Sequence, residues 1–159
     1  MKRRIFLTAA ASLGGLFALH RAAQSASPAR DKSWQLSDEE WRKRLTPEQF
    51  HVLREEGTER PGSSALNAEK RKGTFACAAC ELPLFRSETK YESGTGWPSF
   101  YDVIPGSLGT KTDFKIIYPR TEYHCIRCGG HQGHVFDDGP RPTGKRYCNN
   151  GVALKFVVA

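Results

Sequence analysis

Five cysteines stand in the sequence, and their spacing sorts them into two kinds. Cys77-Ala78-Ala79-Cys80 and Cys125-Ile126-Arg127-Cys128 are C-x-x-C pairs, each able to give two thiolates to one metal ion, and together they supply the four ligands of a tetrahedral zinc. Cys148 is left over as a free thiol. Lys145 and Arg146 precede it, and upstream lies the run His131-Gln132-Gly133-His134-Val135-Phe136-Asp137-Asp138. A thiol beside cations and imidazoles has its thiolate favoured, and the thiolate is the nucleophile. The pattern predicts four sulfurs for architecture and one for chemistry.

Each assignment has rivals. The paired cysteines could be redox dithiols in an oxidising compartment, but a redox C-x-x-C opens a helix in a βαβ setting, which neither pair has. They could form a nucleic-acid zinc ribbon, yet ribbon pairs are separated by about 15 to 20 residues, whereas Glu81 to His124 intervene here. That insert is long enough to carry much of a domain, so the metal reads as a structural tie between remote segments. Gly129-Gly130 follow the second pair, as a knuckle turn requires. Iron can replace zinc in a thiolate site. For Cys148 the alternatives are an inert cysteine in a zinc-stabilised binding module, or the nucleophile of a thiol peroxidase or disulfide reductase.

Two further stretches bear on the free thiol. In Glu92-Ser93-Gly94-Thr95-Gly96-Trp97-Pro98-Ser99-Phe100 a glycine-rich turn presents Trp97, which is either a core residue or the wall of a small apolar pocket. An indole face suits a methyl group on polarised sulfur. His131 and His134, three apart beside Asp137 and Asp138, read as proton donors and orienters rather than metal ligands, because four thiolates already fill the metal site. Phe136 and Arg146 are grouped with Trp97 as substrate-binding candidates. His20, His51 and His124 lack such company and receive no role.

The elements that must position these residues form one domain over residues 37–159, after a polar linker at 28–36. Ser37-Asp38-Glu39-Glu40 and Thr46-Pro47-Glu48-Gln49 are capping boxes that predict two short helices, the second ending near Gly57. From Gly73 onward short β-like runs alternate with glycine and proline: Thr74 to Cys77, Phe114 to Tyr118, Glu122 to Cys125, His134 to Phe136, Arg146 to Cys148 and Val152 to Val158. They predict a mainly β fold of antiparallel sheets in a small, open, barrel-like assembly. With 38% hydrophobic residues the chain can fill one modest core.

Residues 1–27 read as an export leader. Lys2-Arg3-Arg4 precede an apolar run from Ile5 to Leu19, short of the roughly 20 residues a membrane-spanning helix needs, and the small residues Ala22, Ala23, Ser25 and Ala26 follow. Arg3-Arg4 before Phe6-Leu7 resembles a twin-arginine signal, which exports folded proteins. The expectation is a bacterial periplasmic protein, cleaved between Ser25 and Ser27 and without stable membrane association afterwards. The leader carries four cations and no acid, which leaves +3 of the formal +7 for the remainder. A zinc tetrathiolate would subtract about two more charges, so the body is nearly neutral and nucleic acid is not an expected partner.

Five segments taken together, Gly57-Thr58-Glu59-Arg60-Pro61, Ser93 to Phe100, Arg120-Thr121-Glu122, Gly133 to Pro140 and Arg146-Tyr147-Cys148, resemble the B-type methionine-R-sulfoxide reductases from about Leu45 to Phe156. The resemblance implies a zinc-tied fold of two antiparallel sheets, acting on the R epimer of methionine sulfoxide in peptides and proteins. It implies Cys148 as nucleophile and Trp97 as the wall that holds the substrate methyl. It places His131, His134 and Asp138 around the sulfoxide oxygen, and Asn150 beside substrate or water. Three departures stand out. Thr95 occupies the place of a resolving cysteine, Gln132 that of a leucine, and Asn149-Asn150-Gly151-Val152-Ala153 that of a serine-containing segment. With no spare thiol, the expected reductant is external, a thioredoxin-like protein or a small thiol, acting on a monomer.

Overall fold

In a computed structural model, which describes residues 32–159, both helices start where their capping boxes stand. The expected leader (1–27) and residues 28–31 of the linker lie outside the described residues. Helix α1 (Asp38–Arg44) is capped by Ser37, whose hydroxyl accepts from the Glu40 amide while the Glu40 carboxylate accepts from the Ser37 amide. Helix α2 (Pro47–Glu55) repeats the arrangement with Thr46 and Gln49. Each such cap stabilises its helix by about 1 kcal/mol. Glu56 stops α2 in the left-handed conformation, φ 56°. The buried faces are Trp41 on α1 and Phe50, Val52 and Leu53 on α2. Lys32–Trp34 form a single 3-10 turn, and Trp34 stacks on Trp41 at 6.2 Å, so the end of the expected linker joins the helical layer.

The rest is two antiparallel sheets. Strand β1 (Gly73–Cys77) lies between β2 (Pro83–Arg86) and β9 (Leu154–Val158). The larger sheet runs β3 (Lys90–Tyr91), β4 (Ser99–Phe100), β8 (Arg146–Asn149), β7 (His131–Phe136), β6 (Arg120–Cys125), β5 (Leu108–Asp113). Between them packs an aromatic core: Phe85 stacks on Phe100 at 4.2 Å, Phe75 meets Phe100 edge-on at 4.9 Å, and Tyr123 meets Tyr147 at 5.5 Å.

One expected strand is corrected. Phe114 to Tyr118 is the loop of a hairpin, and its first arm is the polar run Leu108–Asp113, paired with β6 from Leu108 opposite Cys125 to Asp113 opposite Arg120. An edge strand with one wet face carries threonine and lysine, so its hydrophobic signal is weak. The aromatic and β-branched residues that imitate a strand sit in the turn. The strands β2, β3 and β4 are too short to show a period.

Candidate active site and metal centre

Cys148 lies on β8, an inner strand, opposite Ser99 of β4 on one side and His134 of β7 on the other. Cross-strand partners present their side chains on the same face, about 4.5–5.5 Å apart at Cβ, so pairing register alone brings thiol and imidazole together. Gly133 permits the approach, because a Cβ there would lie 1.9 Å from the Cys148 carbonyl oxygen. Both residues open into a cavity of about 170 Å³ lined also by Thr58, Thr95, Trp97, Arg120, Phe136 and Arg146.

Trp97 is fixed from a distance in sequence. Gly94 and Gly96 adopt φ of 72° and 87° in the turn before it, and its indole Nε1 donates to the Glu59 carbonyl at 3.1 Å. Glu59 also braces the wall at Asn150: its amide donates to Asn150 Oδ1 at 3.0 Å, and its carboxylate accepts from the amides of Gly151 and Val152 at 2.6 and 3.0 Å. The segment after α2 therefore clamps two sides of the cavity.

His134 is held by a residue that sequence reasoning passed over. Asp113, at the end of β5, accepts from His134 Nε2 at 2.7 Å and from Arg120 at 2.7 Å. The Lys115 amide, with help from His134 and Arg120, keeps the Asp113 carboxyl far below the usual carboxylate range against the opposing effect of burial. Burial pushes the His134 imidazole below its ordinary pKa, and the bond to Asp113 only partly restores it. Neutral His134, donating from Nε2, keeps a lone pair on Nδ1.

His131 is almost fully buried, its ring 5.5 Å from that of His134. It does not line the cavity. Its Nδ1 bonds Glu122 at 2.8 Å, and Glu122 also bonds His124 at 3.1 Å. Burial would raise the Glu122 carboxyl, but the two histidines hold it at about 2. His124, given no role above, thus completes a His-Glu-His row behind the site. Glu122 was visible in the Arg120-Thr121-Glu122 motif; Asp113 carries no local signal, since it meets His134 only through folding.

The remaining expected site residues fall into two groups. Arg146 lines the cavity, and its guanidinium sits 4.3 Å from the Phe136 ring centre. Asp138, expected beside the sulfoxide oxygen, stands outside the cavity: it pairs with Arg146 through two 2.8 Å bonds and meets neither histidine. It positions Arg146. Asn150 lines the wall, but its amide is engaged at both ends, by the Glu59 amide and the Gln132 carbonyl.

Cys148 itself differs from expectation. Burial pushes its thiol pKa up, and the Thr95 hydroxyl and Arg146 only partly offset that. Thr95 belongs to a hydroxyl chain, 2.8 Å from Ser93, which is 2.7 Å from Ser99. Burial thus favours the thiol over the thiolate.

Around the β6–β7 turn the other four sulfurs converge. Those of Cys77, Cys80, Cys125 and Cys128 all lie within 4.8 Å of one another, with Cys77 to Cys128 at 3.7 Å and Cys80 to Cys125 at 3.4 Å. Ligands about 2.3 Å from a tetrahedral zinc stand about 3.8 Å apart, so the set fits one ion. Sulfur-to-sulfur hydrogen bonds push Cys77 and Cys128 up and Cys125 down, a quartet that cannot ionise together without a cation. Equivalent turns present both pairs, Glu81 N donating to Cys77 O and Gly129 N to Cys125 O, each at 2.8 Å. Buried Gln132 donates to Cys77 Sγ at 3.5 Å, and its side-chain oxygen accepts from Asn149.

The SelR domain matches residues 45–158. Over 126 residues the chain is 59% identical to the peptide methionine sulfoxide reductase MsrB of Methanosarcina barkeri, covering 79% of this chain and 89% of that protein. It is 55% identical over 121 residues to the MsrB of Leptospira interrogans, 76% of this chain and 92% of that one. With mouse methionine-R-sulfoxide reductase B3, mitochondrial, it shares 50% over 124 residues, 77% of this chain and 49% of that one.

Proposed function

The chain belongs to the SelR-domain family of B-type methionine sulfoxide reductases, and on that premise we propose that it reduces the R epimer of methionine sulfoxide in peptides and proteins. The observation that carries the proposal is the Cys148/His134 pair across β8 and β7, opening into a cavity that Trp97 walls. The indole takes the methyl group, leaving the sulfoxide sulfur toward Cys148 and its oxygen toward His134. A mirror-image sulfoxide with its methyl in the same place would turn its oxygen away.

The raised Cys148 pKa gives the proton a path. The sulfur attacks the sulfoxide sulfur while its proton passes through Nδ1 of neutral His134 to the oxygen, and the transient S–S bond then breaks as the hydroxyl moves from the methionine sulfur to that of Cys148. The S–H and sulfoxide S–O bonds break, a Cys148 S–O bond and an O–H bond form, and the products are methionine and Cys148 sulfenic acid. One external thiol condenses with the sulfenic acid to give a mixed disulfide and water. A second releases Cys148 and carries the electrons away as a disulfide. Thr95 at the cavity offers no resolving thiol, and the other cysteines form the metal cluster, which supports a thioredoxin-like protein or small thiol as reductant. A zinc ion would be held by Cys77, Cys80, Cys125 and Cys128 and would supply cross-linking alone. Export to the bacterial periplasm rests on the Arg3-Arg4 leader.

The test is an epimer-resolved sulfoxide assay. Wild type should consume only the R form, and Cys148→Ser should lose turnover by about 10⁴-fold or more with its metal content unchanged. Surviving activity in that variant, or consumption of the S form, overturns the proposal.

A further inference from the structure

Among the described residues six large hydrophobic side chains are exposed, and four of them sit in one stretch: Phe114 (77%), Ile116 (49%), Ile117 (94%) and Tyr118 (76%). That stretch is the loop of the β5–β6 hairpin, and its base is part of the active site. Asp113, where the loop leaves β5, holds His134; Arg120, where it enters β6, lines the cavity; and Asp113 bonds both Arg120 and the Lys115 amide, closing the loop at its foot. The loop's cations are spoken for. Lys111 and Lys115 both pair with Glu56 at the end of α2, and Arg120 pairs with Asp113. The surface offered beside the cavity is therefore chiefly apolar, with each nearby cation held by a carboxylate.

We propose that this loop is the docking surface for the polypeptide on either side of the oxidised methionine, and that it selects apolar flanking sequence. The inference rests on the function proposed above. A cavity of about 170 Å³ lies below the roughly 300–1,000 Å³ that enclose drug-sized ligands, so it admits a side chain and leaves the substrate backbone on the rim. One edge of that rim is the foot of the loop. Methionines come from apolar surroundings, and oxidation that disrupts a core brings those surroundings to the surface. Three cations against the carboxylates of Glu56 and Asp113 leave about one net positive charge, short of the cluster of roughly 4–8 Lys and Arg that an anionic membrane surface recruits.

The experiment compares wild type, the double variant Phe114→Ser with Ile117→Ser, and Val158→Ser on β9 as an exposed apolar control. Each is assayed with N-acetyl-methionine-R-sulfoxide and with two peptides carrying the same sulfoxide, one flanked by Leu and Val and one by Ser and Gly. The loop variant should raise KM for the apolar peptide about tenfold, the consequence of withdrawing about one apolar side chain's burial. The small sulfoxide and the polar peptide should stay within about twofold, and Val158→Ser should change nothing. Equal loss on all three substrates would reduce the loop to a prop for Asp113 and overturn the inference, as would no change on any. So would a wild-type dimer that the variant splits in sedimentation, or wild-type binding to phosphatidylglycerol vesicles that the variant abolishes. A wild type that leaves the small R sulfoxide untouched would remove the underlying function instead, and this inference with it.

Discussion

Cys148 illustrates where residue types mislead. Neighbouring Lys145 and Arg146, with two histidines upstream, argue for a thiolate, yet Lys145 turns to Asp137 and Arg146 shares its charge with Asp138. Burial then outweighs what remains, and the thiol pKa rises. Sequence lists the charges near a residue but not which are already paired. The consequence is measurable: alkylation of Cys148 by iodoacetamide should accelerate about tenfold per pH unit from pH 7 past 8.5, the ordinary cysteine value, without levelling off there. A plateau below pH 8 would mean that the cations prevail after all. What was legible at this scale was identity. The leftover cysteine, Trp97, His134 and Asn150 all line the cavity, while Asp138 acts through the Arg146 it holds.

Strand pairing supplies what residue types could not. Asp113 and His134 lie 21 positions apart, and only the β5–β6–β7 meander makes them neighbours. The polar β5 was the strand that pattern reasoning missed, so its terminal carboxylate was missed too. Asp113→Asn should lower kcat/KM about 10²-fold, the low end of what a positioned acid–base group contributes. The bond to Asp113 raises the His134 pKa, so removing the charge lowers that pKa further, and the acid limb of the kcat/KM profile should move to lower pH. A drop in rate with the limb unmoved would show that Asp113 only supports the hairpin. Gln132 is a second cross-element link, placed in β7 where the register shifts against β6. It joins the metal quartet to Asn149, next to the nucleophile. Gln132→Leu removes the buried donor to Cys77, and metal transfer to a chromophoric chelator should quicken about tenfold, the lower end of what lost partners behind metal ligands cost in affinity. An unchanged transfer rate would leave Gln132 as a packing residue.

At the scale of the molecule, the metal cluster joins parts that the chain itself connects only distantly. Cys77 ends β1 in the three-stranded sheet with Cys80 in the turn after it, and Cys125 ends β6 in the larger one with Cys128 in the turn after it. Helix α2 docks on the same place, with Arg54 donating to the Cys128 carbonyl at 3.0 Å and Leu53 against Gly130. A structural zinc contributes on the order of 10 kcal/mol to folding, comparable with the 5–15 kcal/mol of a whole domain. The spacing of the two C-x-x-C pairs made this tie legible in the sequence. What spacing could not convey is that β7 meets the quartet through Gln132, which bonds Cys77, and carries His134 two residues on, so that losing the metal disturbs His134 through the backbone that carries it. Chelation should therefore abolish activity and the cooperative thermal transition at the same metal occupancy, followed by circular dichroism and by turnover on one titrated sample. If activity vanished while the transition persisted, the ion would belong to the chemistry; if both survived, the aromatic core between the sheets would suffice without it.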